Sequence, residues 1–366
     1  MNELTRLLAR RIRATGPLSI AEYMTEALHH PTLGYYARRD PIGRAGDFIT
    51  APEVSQIFGE LLGLWCADVW ERMGRPDPVI LAELGPGHGS LMADALRALR
   101  VAPHFRRALR LHLVEASAML RRRQAEKLGG AEPVWHDDLT RLPDGPLILI
   151  ANEFLDALPI RQFVRGASGW HERRVVLAED GERLAFAVDS APSLAPALAP
   201  PALQSAPPGS IWEICPAATT MGATPGARLK GQGGVALFID YGYVANAGGD
   251  TLQALKQHRR HDVLADPGDA DLTAHVDFAA VAAAAVQAGA RAFGPVSQAA
   301  FLRALGAKER AAQLRKQATP AQAAAIESGC RRLLDENEMG TLFKALAIVD
   351  PKLGVPAGFT EERPPC

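Results

Sequence analysis

The stretch Val79-Ile80-Leu81-Ala82-Glu83-Leu84-Gly85-Pro86-Gly87-His88-Gly89-Ser90-Leu91 decides how this chain is read. The apolar run at 79–82, after Asp77 and Pro78, predicts a buried strand, and Met92, Leu96 and Leu99 beyond the glycines predict a helix. Between them lies a glycine turn, with the carboxylate of Glu83 just ahead of it. Glycine lets the main chain turn sharply and approach a ligand more closely than a Cβ permits, so Gly85, Gly87 and Gly89 mark a nucleotide-type site. Such turns also close α/β domains that bind nothing, so residues elsewhere must decide whether a ligand is involved.

The spacing narrows the ligand. A dinucleotide fingerprint is G-x-G-x-x-G, whereas this chain reads G-x-G-x-G. Glu83 would repel a pyrophosphate and attract a cation, which favours S-adenosylmethionine, with its sulfonium and ammonium, over NAD. A second acid agrees. Residues 111–115 form another short apolar run ending in Glu115, suited to accept hydrogen bonds from both ribose hydroxyls. Ser117 then caps a predicted helix to about Leu128, and the run 134–139 brings Asp137 and Asp138 to where an adenine edge would lie. Taken singly, each acid reads as a solvated strand end or a turn residue; the order of the three along the chain carries the inference.

Longer motifs extend the reading. They are 16–24 (GPLSIAEYM), 30–36 (HPTLGYY), 46–60 (GDFITAPEVSQIFGE), 83–89 (ELGPGHG), 152–159 (NEFLDALP), 240–242 (DYG) and 271–278 (DLTAHVDF). In these the chain resembles the MidA-like methyltransferases, a family that includes the mitochondrial complex I assembly methyltransferase, over about residues 16–350. The resemblance implies an α/β, seven-strand Rossmann-like methyltransferase fold and S-adenosyl-L-methionine as donor. For the mitochondrial members it also implies symmetric dimethylation of an arginine in a complex I subunit.

On the acceptor side, the buried run 146–151 delivers Asn152, Glu153 and Asp156 at its carboxyl end, where ligands of open α/β sheets sit. A neutral guanidine is scarce near pH 7, so one carboxylate must orient the guanidinium and one must favour proton loss. Glu153 and Asp156 are the candidates, although Asn152 and Asp156 could instead cap the following turn. The segment 46–50 is expected to fold over the donor, with Thr50 and Glu53 at a helix start and Phe48 excluding water; Thr50 could equally be a helix cap alone. Glu213, Asp240 and His275 are further strand-end or loop candidates.

The remaining patterning fixes the organisation. Residues 1–75 read as an N-terminal helical segment, 76–250 as the donor-binding core, 251–338 as an inserted, mainly helical lobe, and 339–366 as a final core strand and tail. Capping-box patterns at Ser19/Glu22 and Thr50/Glu53 predict helix starts, the second running from Pro52 to about Met73. Alternating strands and helices are expected over 79–180, a Pro/Ala/Ser-rich connection over 191–209, and alanine-rich helices over 276–334. At 366 residues, 48% hydrophobic and with net charge -1, the composition supplies ample core and argues against binding nucleic acid through an overall field. The scattered cysteines form no metal or disulfide spacing and suit a reducing compartment.

No segment has the roughly 18 uninterrupted apolar residues of a membrane span. The Arg-rich start, which carries Glu3 and runs into the family motifs, is read as the first helix of a bacterial cytoplasmic protein. The preferred reading is therefore a protein-arginine methyltransferase whose partner is a protein acceptor such as a complex I subunit. A methyltransferase for a small molecule or another protein residue is the alternative, as is a non-catalytic cofactor-binding assembly factor. A nucleotide-dependent oxidoreductase is disfavoured by the glycine spacing and Glu83. The oligomeric state, a homodimer included, is left open.

Overall fold

Apolar runs long enough to be covered on both faces, separated by helices, build a mostly parallel sheet. In the computed structural model, which describes residues 1–38, 43, 46–194, 199–246 and 248–361, seven strands of that eight-stranded sheet belong to one of two compact units. They are β1 (Val79–Leu84), β2 (Leu109–Val114), β3 (Val134–His136), β4 (Leu147–Asn152), β5 (Gly234–Tyr243), β6 (Arg291–Ser297) and β7 (Phe343–Val349). Their order is β3-β2-β1-β4-β5-β7-β6, with β7 antiparallel to both neighbours and the pairings from β3 to β5 parallel. Chain order reverses between β1 and β4, the topological switch at which open α/β sheets bind ligands. Every residue of β1 and β4 is buried, as expected of central strands.

This sheet unit comprises residues 49–155, 219–244 and 278 onward. The helix after the glycine turn, Ser90–Ala98, lies close against Gln56–Arg72. A Cβ on Gly59 would stand 2.7 Å from Asp94 Cβ and one on Gly63 2.7 Å from Ala95 Cα, so only glycine allows that approach. The expected helix from Pro52 to Met73 is broken. It starts as Ala51–Val54, stops at Ser55 in extended conformation (φ -158°), and restarts at Gln56, where Ser55 Oγ accepts from Ile57 N. Thr50 makes no side-chain cap, so the pattern there is not a capping box. At Ser19 the box does form: Ser19 Oγ accepts from Glu22 N, and Glu22 Oε2 accepts from Ser19 N.

The alanine-rich region also differs from expectation. Arg291–Ser297 is a sheet strand, and the insertion between β6 and β7 begins only with Gln298–Ala304, Ala307–Arg315 and Pro320–Leu334. Pairing along β7 outweighs local helix preference over β6, since strand formation depends on neighbours more than on composition. Residues 339–342 form a helical turn before β7, at the start of the segment 339–366 expected to open with the final core strand.

The other unit comprises residues 1–48, 156–218 and 245–277. Helices Glu3–Thr15 and Ile20–His29 bury Leu4, Leu8, Tyr23 and Leu28 in its core. A five-stranded sheet runs in the order Leu18–Ser19, Gly169–Leu177, Arg161–Gly166, Ile211–Ile214, with Leu184–Val188 beside Gly169–Leu177, and its pairings are antiparallel. A three-stranded sheet, Arg259–His261, Gln253–Lys256 and Asp271–Thr273, completes it. The parallel pattern expected over 79–180 thus stops at β4, and the start of the expected helical lobe at 251 is β structure. Short mixed runs such as 161–166 carry too few residues to separate the two periodicities. Part of the connection expected at 191–209, residues 195–198, and Cys366 lie outside the described residues.

Candidate functional site

Register places the sequence motifs along one edge of the parallel sheet. Leu84 pairs with Val114 on β2 and Ala151 on β4, so Gly85, Glu115 and Asn152 leave the strands in one row. Gly85 N donates to Val114 O at 3.0 Å and Glu115 N to His136 O at 3.0 Å, fixing the start of both turns. Gly85, Gly87 and Gly89 have φ of 60°, 54° and 75°, the left-handed region that glycine enters without strain. A Cβ on Gly85 would lie 2.9 Å from Phe154 Cδ2, so the turn also needs glycine for space.

Glu83 sits one row deeper, 3% exposed, and its Oε2 has no hydrogen-bond partner among the described residues. Burial, reinforced by the nearby Glu115, pushes its carboxyl up to about 8. Glu60 in the same unit shows the opposite solution: it is 2% exposed, yet Arg97 and Arg310 reach its two oxygens at 3.0 and 2.8 Å. A buried acid that lacks such a pair is stabilised by a cationic ligand, and the ammonium of a methyl donor is one. The residues present therefore fit S-adenosylmethionine at the turn.

Glu115 is ordered for a similar purpose. Its Oε1 accepts from Ser117 N at 2.8 Å and its Oε2 from Gln124 Nε2 at 3.2 Å, and burial raises its carboxyl above the ordinary range. Gln124 was not singled out from the sequence. It is fully buried, donates also to Gly87 O at 2.8 Å, and accepts from Trp135 Nε1 at 2.8 Å, tying the turn, Glu115 and β3 together. The signal was present: Leu120, Gln124 and Leu128 form the buried stripe of Ala118–Leu128, so a lone amide stands where the helix should be apolar.

Glu53, expected at a helix start over the donor, is engaged with the turn itself. Ser90 donates to it, His88 Nδ1 lies 3.5 Å away and Lys127 Nζ 4.0 Å away. The hydrogen bond with His88 leads the causes that hold its carboxyl down at about 2. The glycine turn is thereby fastened to the Ala51–Val54 segment next to Thr50.

Asp137 and Asp138 are differently engaged. Asp137 is an exposed side chain paired with Arg121 at 2.6 Å, and Asp138 Oδ1 caps the short helix Leu139–Arg141 by accepting from Thr140 N at 2.7 Å. Asp138's carboxyl is lowered by these Thr140 contacts.

At the end of β4, Glu153 holds φ of 50°, a region sparsely occupied by residues with a Cβ and often seen where a site imposes it. Its Oε1 accepts from Ala51 N at 2.8 Å and from Asn152 Nδ2 at 2.9 Å. Asn152 is 7% exposed, and its Oδ1 has no partner among the described residues. Asp240 on β5 binds the backbone instead: Oδ2 accepts from Phe154 N and Leu155 N at 3.0 and 2.8 Å, which clamps the turn that carries Glu153.

Asp156, three residues beyond Glu153 in sequence, belongs to the other unit. There its backbone oxygen accepts from Ala274 N at 3.0 Å, and it lies close enough to Asp271 to raise that carboxyl. The segment 46–50 is divided as well, since Phe48 packs on the core of that same unit and Ile49 begins the sheet unit. Glu213 is a buried structural acid whose Oε1 accepts from Gln162 Nε2 at 2.7 Å and from Thr251 N at 3.0 Å. His275 N donates to Thr251 Oγ1 at 2.9 Å. No group of three or more metal-type ligands that could hold an ion occurs among the described residues.

With this geometry in view, comparison with known proteins is decisive. A family of S-adenosyl-L-methionine-dependent methyltransferases matches residues 61–296. The chain belongs to this family. It is 37% identical to the mitochondrial protein arginine methyltransferase NDUFAF7 of Danio rerio, over 94% of this chain and 86% of that protein. The human counterpart is 36% identical over 94% of this chain and 83% of its own. Among solved structures, a candidate methyl transferase from Burkholderia thailandensis bound to S-adenosyl-homocysteine is similar at a TM-score of 0.84 and 30% identity, covering 97% of this chain and 93% of that one. A ligand-free structure from the same organism gives a TM-score of 0.81 at 31% identity over 98% and 94%. Fold, donor and enzyme class follow for this chain, and they match the expectation drawn from the turn at Gly85.

Proposed function

We propose that this chain methylates an arginine of a protein acceptor, forming symmetric dimethylarginine, and that the acceptor is a subunit of a respiratory complex I. The observation that carries the reading is the ordered carboxylate of Glu153, held by Ala51 N and Asn152 at the edge where Gly85 and Glu115 leave the sheet. The naming of the curated relatives as protein arginine methyltransferases supports the choice of acceptor class.

Glu83 is assigned to the donor's ammonium, Gly85, Gly87 and Gly89 to the turn that lets the chain approach it, and Glu115 to the ribose hydroxyls. The chain at Asp137 and Asp138 is assigned to the adenine edge, and Thr50 to the segment fastened over the turn. When bound, the donor supplies a methyl group on a sulfonium, which leaves as the neutral thioether. The acceptor nitrogen gains that carbon and gives up a proton, and Glu153 is assigned to take it. The unpartnered Oδ1 of Asn152 is assigned to accept an N–H of the acceptor, and Asp156 to face the positive charge of the guanidinium.

The cytoplasm of a bacterium is the compartment we favour. No helix among the described residues is long and apolar enough to cross a membrane. The test is to incubate the purified enzyme with methyl-labelled S-adenosylmethionine and a lysate lacking the gene product, then identify the labelled residue by mass spectrometry. Label on arginine of one protein is expected. Label on lysine, or on a small metabolite, overturns the acceptor while leaving donor and fold in place.

A further inference from the structure

Gln124 is 0% exposed and stands between Leu120 and Leu128 on the buried face of Ala118–Leu128, where a leucine would pack without the cost of desolvating an amide. Both ends of that amide are engaged. Nε2 donates to Gly87 O at 2.8 Å and to Glu115 Oε2 at 3.2 Å, and Oε1 accepts from Trp135 Nε1 at 2.8 Å. This set admits one orientation. A carbonyl and an ionised carboxylate accept, and an indole N–H donates, so a flipped amide would oppose all three partners. The stem is confined as well, since a Cβ on Gly89 would stand 3.5 Å from Gln124 Cγ.

The consequence falls on Glu115. Its Oε1 accepts from Ser117 N at 2.8 Å, so Ser117 and Gln124 grip different oxygens and together set the plane of the carboxylate as well as its place. The terminal torsion of a glutamate is broad, and a single donor at one oxygen leaves it loosely set. A carboxylate accepts at about four positions, so one held in this way keeps capacity for ligand hydroxyls. Ordering it before the ligand arrives removes that cost from binding.

We propose that Gln124 is a positioning residue for the donor's ribose: it holds the Glu115 carboxylate in the plane that receives both ribose hydroxyls, and ties the glycine turn to that carboxylate through Gly87 O. This rests on the assignment of Glu115 to the ribose and deepens it. Selection for a ribonucleoside donor is thereby placed in a helix residue that acts through Glu115.

The test is calorimetry of the full-length protein with S-adenosylhomocysteine and with its 2′,3′-dideoxy analogue, which lacks both ribose hydroxyls, read as the ratio of the two affinities. The native protein should prefer S-adenosylhomocysteine about 100-fold or more, as two hydrogen bonds to a charged group imply. Gln124→Met keeps the length and packing but has no N–H, and Gln124→Glu keeps the shape and the acceptor for Trp135 Nε1 but has no N–H toward Glu115. In each folded variant the preference should fall about tenfold. A loss shared by both ligands, from a turn that has shifted at Gly87 or a helix that packs less well, cancels in the ratio. A merely structural role would lower the melting temperature and leave the ratio unchanged, and a native ratio in both variants overturns the proposal. Glu115→Ala separates the two readings. Lost preference in Glu115→Ala with native preference in both Gln124 variants strikes the positioning role and leaves Glu115 at the ribose. Equal preference in Glu115→Ala and the native protein strikes the ribose assignment itself, and the positioning role falls with it.

Discussion

The glycine turn of the sheet unit and the aspartate cluster of the other unit each hold a carboxylate pushed up to about 8, Glu83 and Asp271, yet the two are built in different ways. Glu83 sits in one continuous stretch, in which a buried strand, an acid and a turn follow within about a dozen residues, and Glu115 at the end of the neighbouring strand reinforces its shift. Asp271 gains its setting from segments at 35–36, 47, 156 and 271–273 that only the fold brings together. In Glu83 the unmet demand is an acid oxygen without a partner, the environment of a small cation held by a parallel sheet. The difference shows that a buried acid's setting is declared by local sequence only where that setting is local.

The largest effect expected from breaking this contrast is at the turn itself. Gly85→Val places a branched side chain at φ of 60° and drives a Cβ to within 2.9 Å of the Phe154 ring, so binding of S-adenosylhomocysteine should be lost altogether in a titration that the native protein saturates. Retained binding in that variant would mean that the donor does not lie in the turn. Next comes the end of β4. Glu153→Gln keeps the shape but not the charge, and should lower the turnover of methyl transfer about 100-fold with donor affinity nearly intact. Single-turnover measurements separate these, and unchanged turnover would remove Glu153 from proton transfer.

How much of this could be read beforehand follows from the same contrast. The turn, Glu115, the Ser117 cap and strands β1, β2, β4 and β5 were legible because each is fixed within a few residues by apolar runs, capping and glycine. Gln124 is legible as the one amide in a buried helical stripe with Leu120 and Leu128. The antiparallel sheet containing Gly169–Leu177 was not legible, since its mixed runs read equally as short strands or helix fragments. Nor was the break at Ser55: the pattern Thr50/Glu53 looks like a capping box, but Glu53 is drawn to Ser90 and His88 by tertiary contacts no local rule contains. The proximity of Asp156 to Asp271 is not legible either, since 115 residues separate them in sequence and only the fold brings them together.

A smaller effect concerns Glu83. Glu83→Gln resembles the protonated acid that burial favours, so the free protein should lose no stability, while donor affinity should fall about tenfold from the missing charge. The smallest concerns pH. An acid raised on folding, as Asp271 is, contributes stability that is complete below its unfolded value of about 4 and is lost as pH rises through about 8. Glu83 acts in the same sense. The contribution of these acids to melting temperature should therefore decline between about pH 4 and about pH 8, and Asp271→Asn should lessen the decline. A slope identical in both proteins would show that Asp271 is not the group that loses its proton.

Most depends on the donor's ammonium being held by Glu83 at the glycine turn. Calorimetry of the native protein, Glu83→Gln and Asp271→Asn with S-adenosylhomocysteine tests this in one experiment. The predicted result is an affinity about tenfold lower in Glu83→Gln alone. Equal affinity in all three folded proteins, or an equal loss in Asp271→Asn, would contradict it.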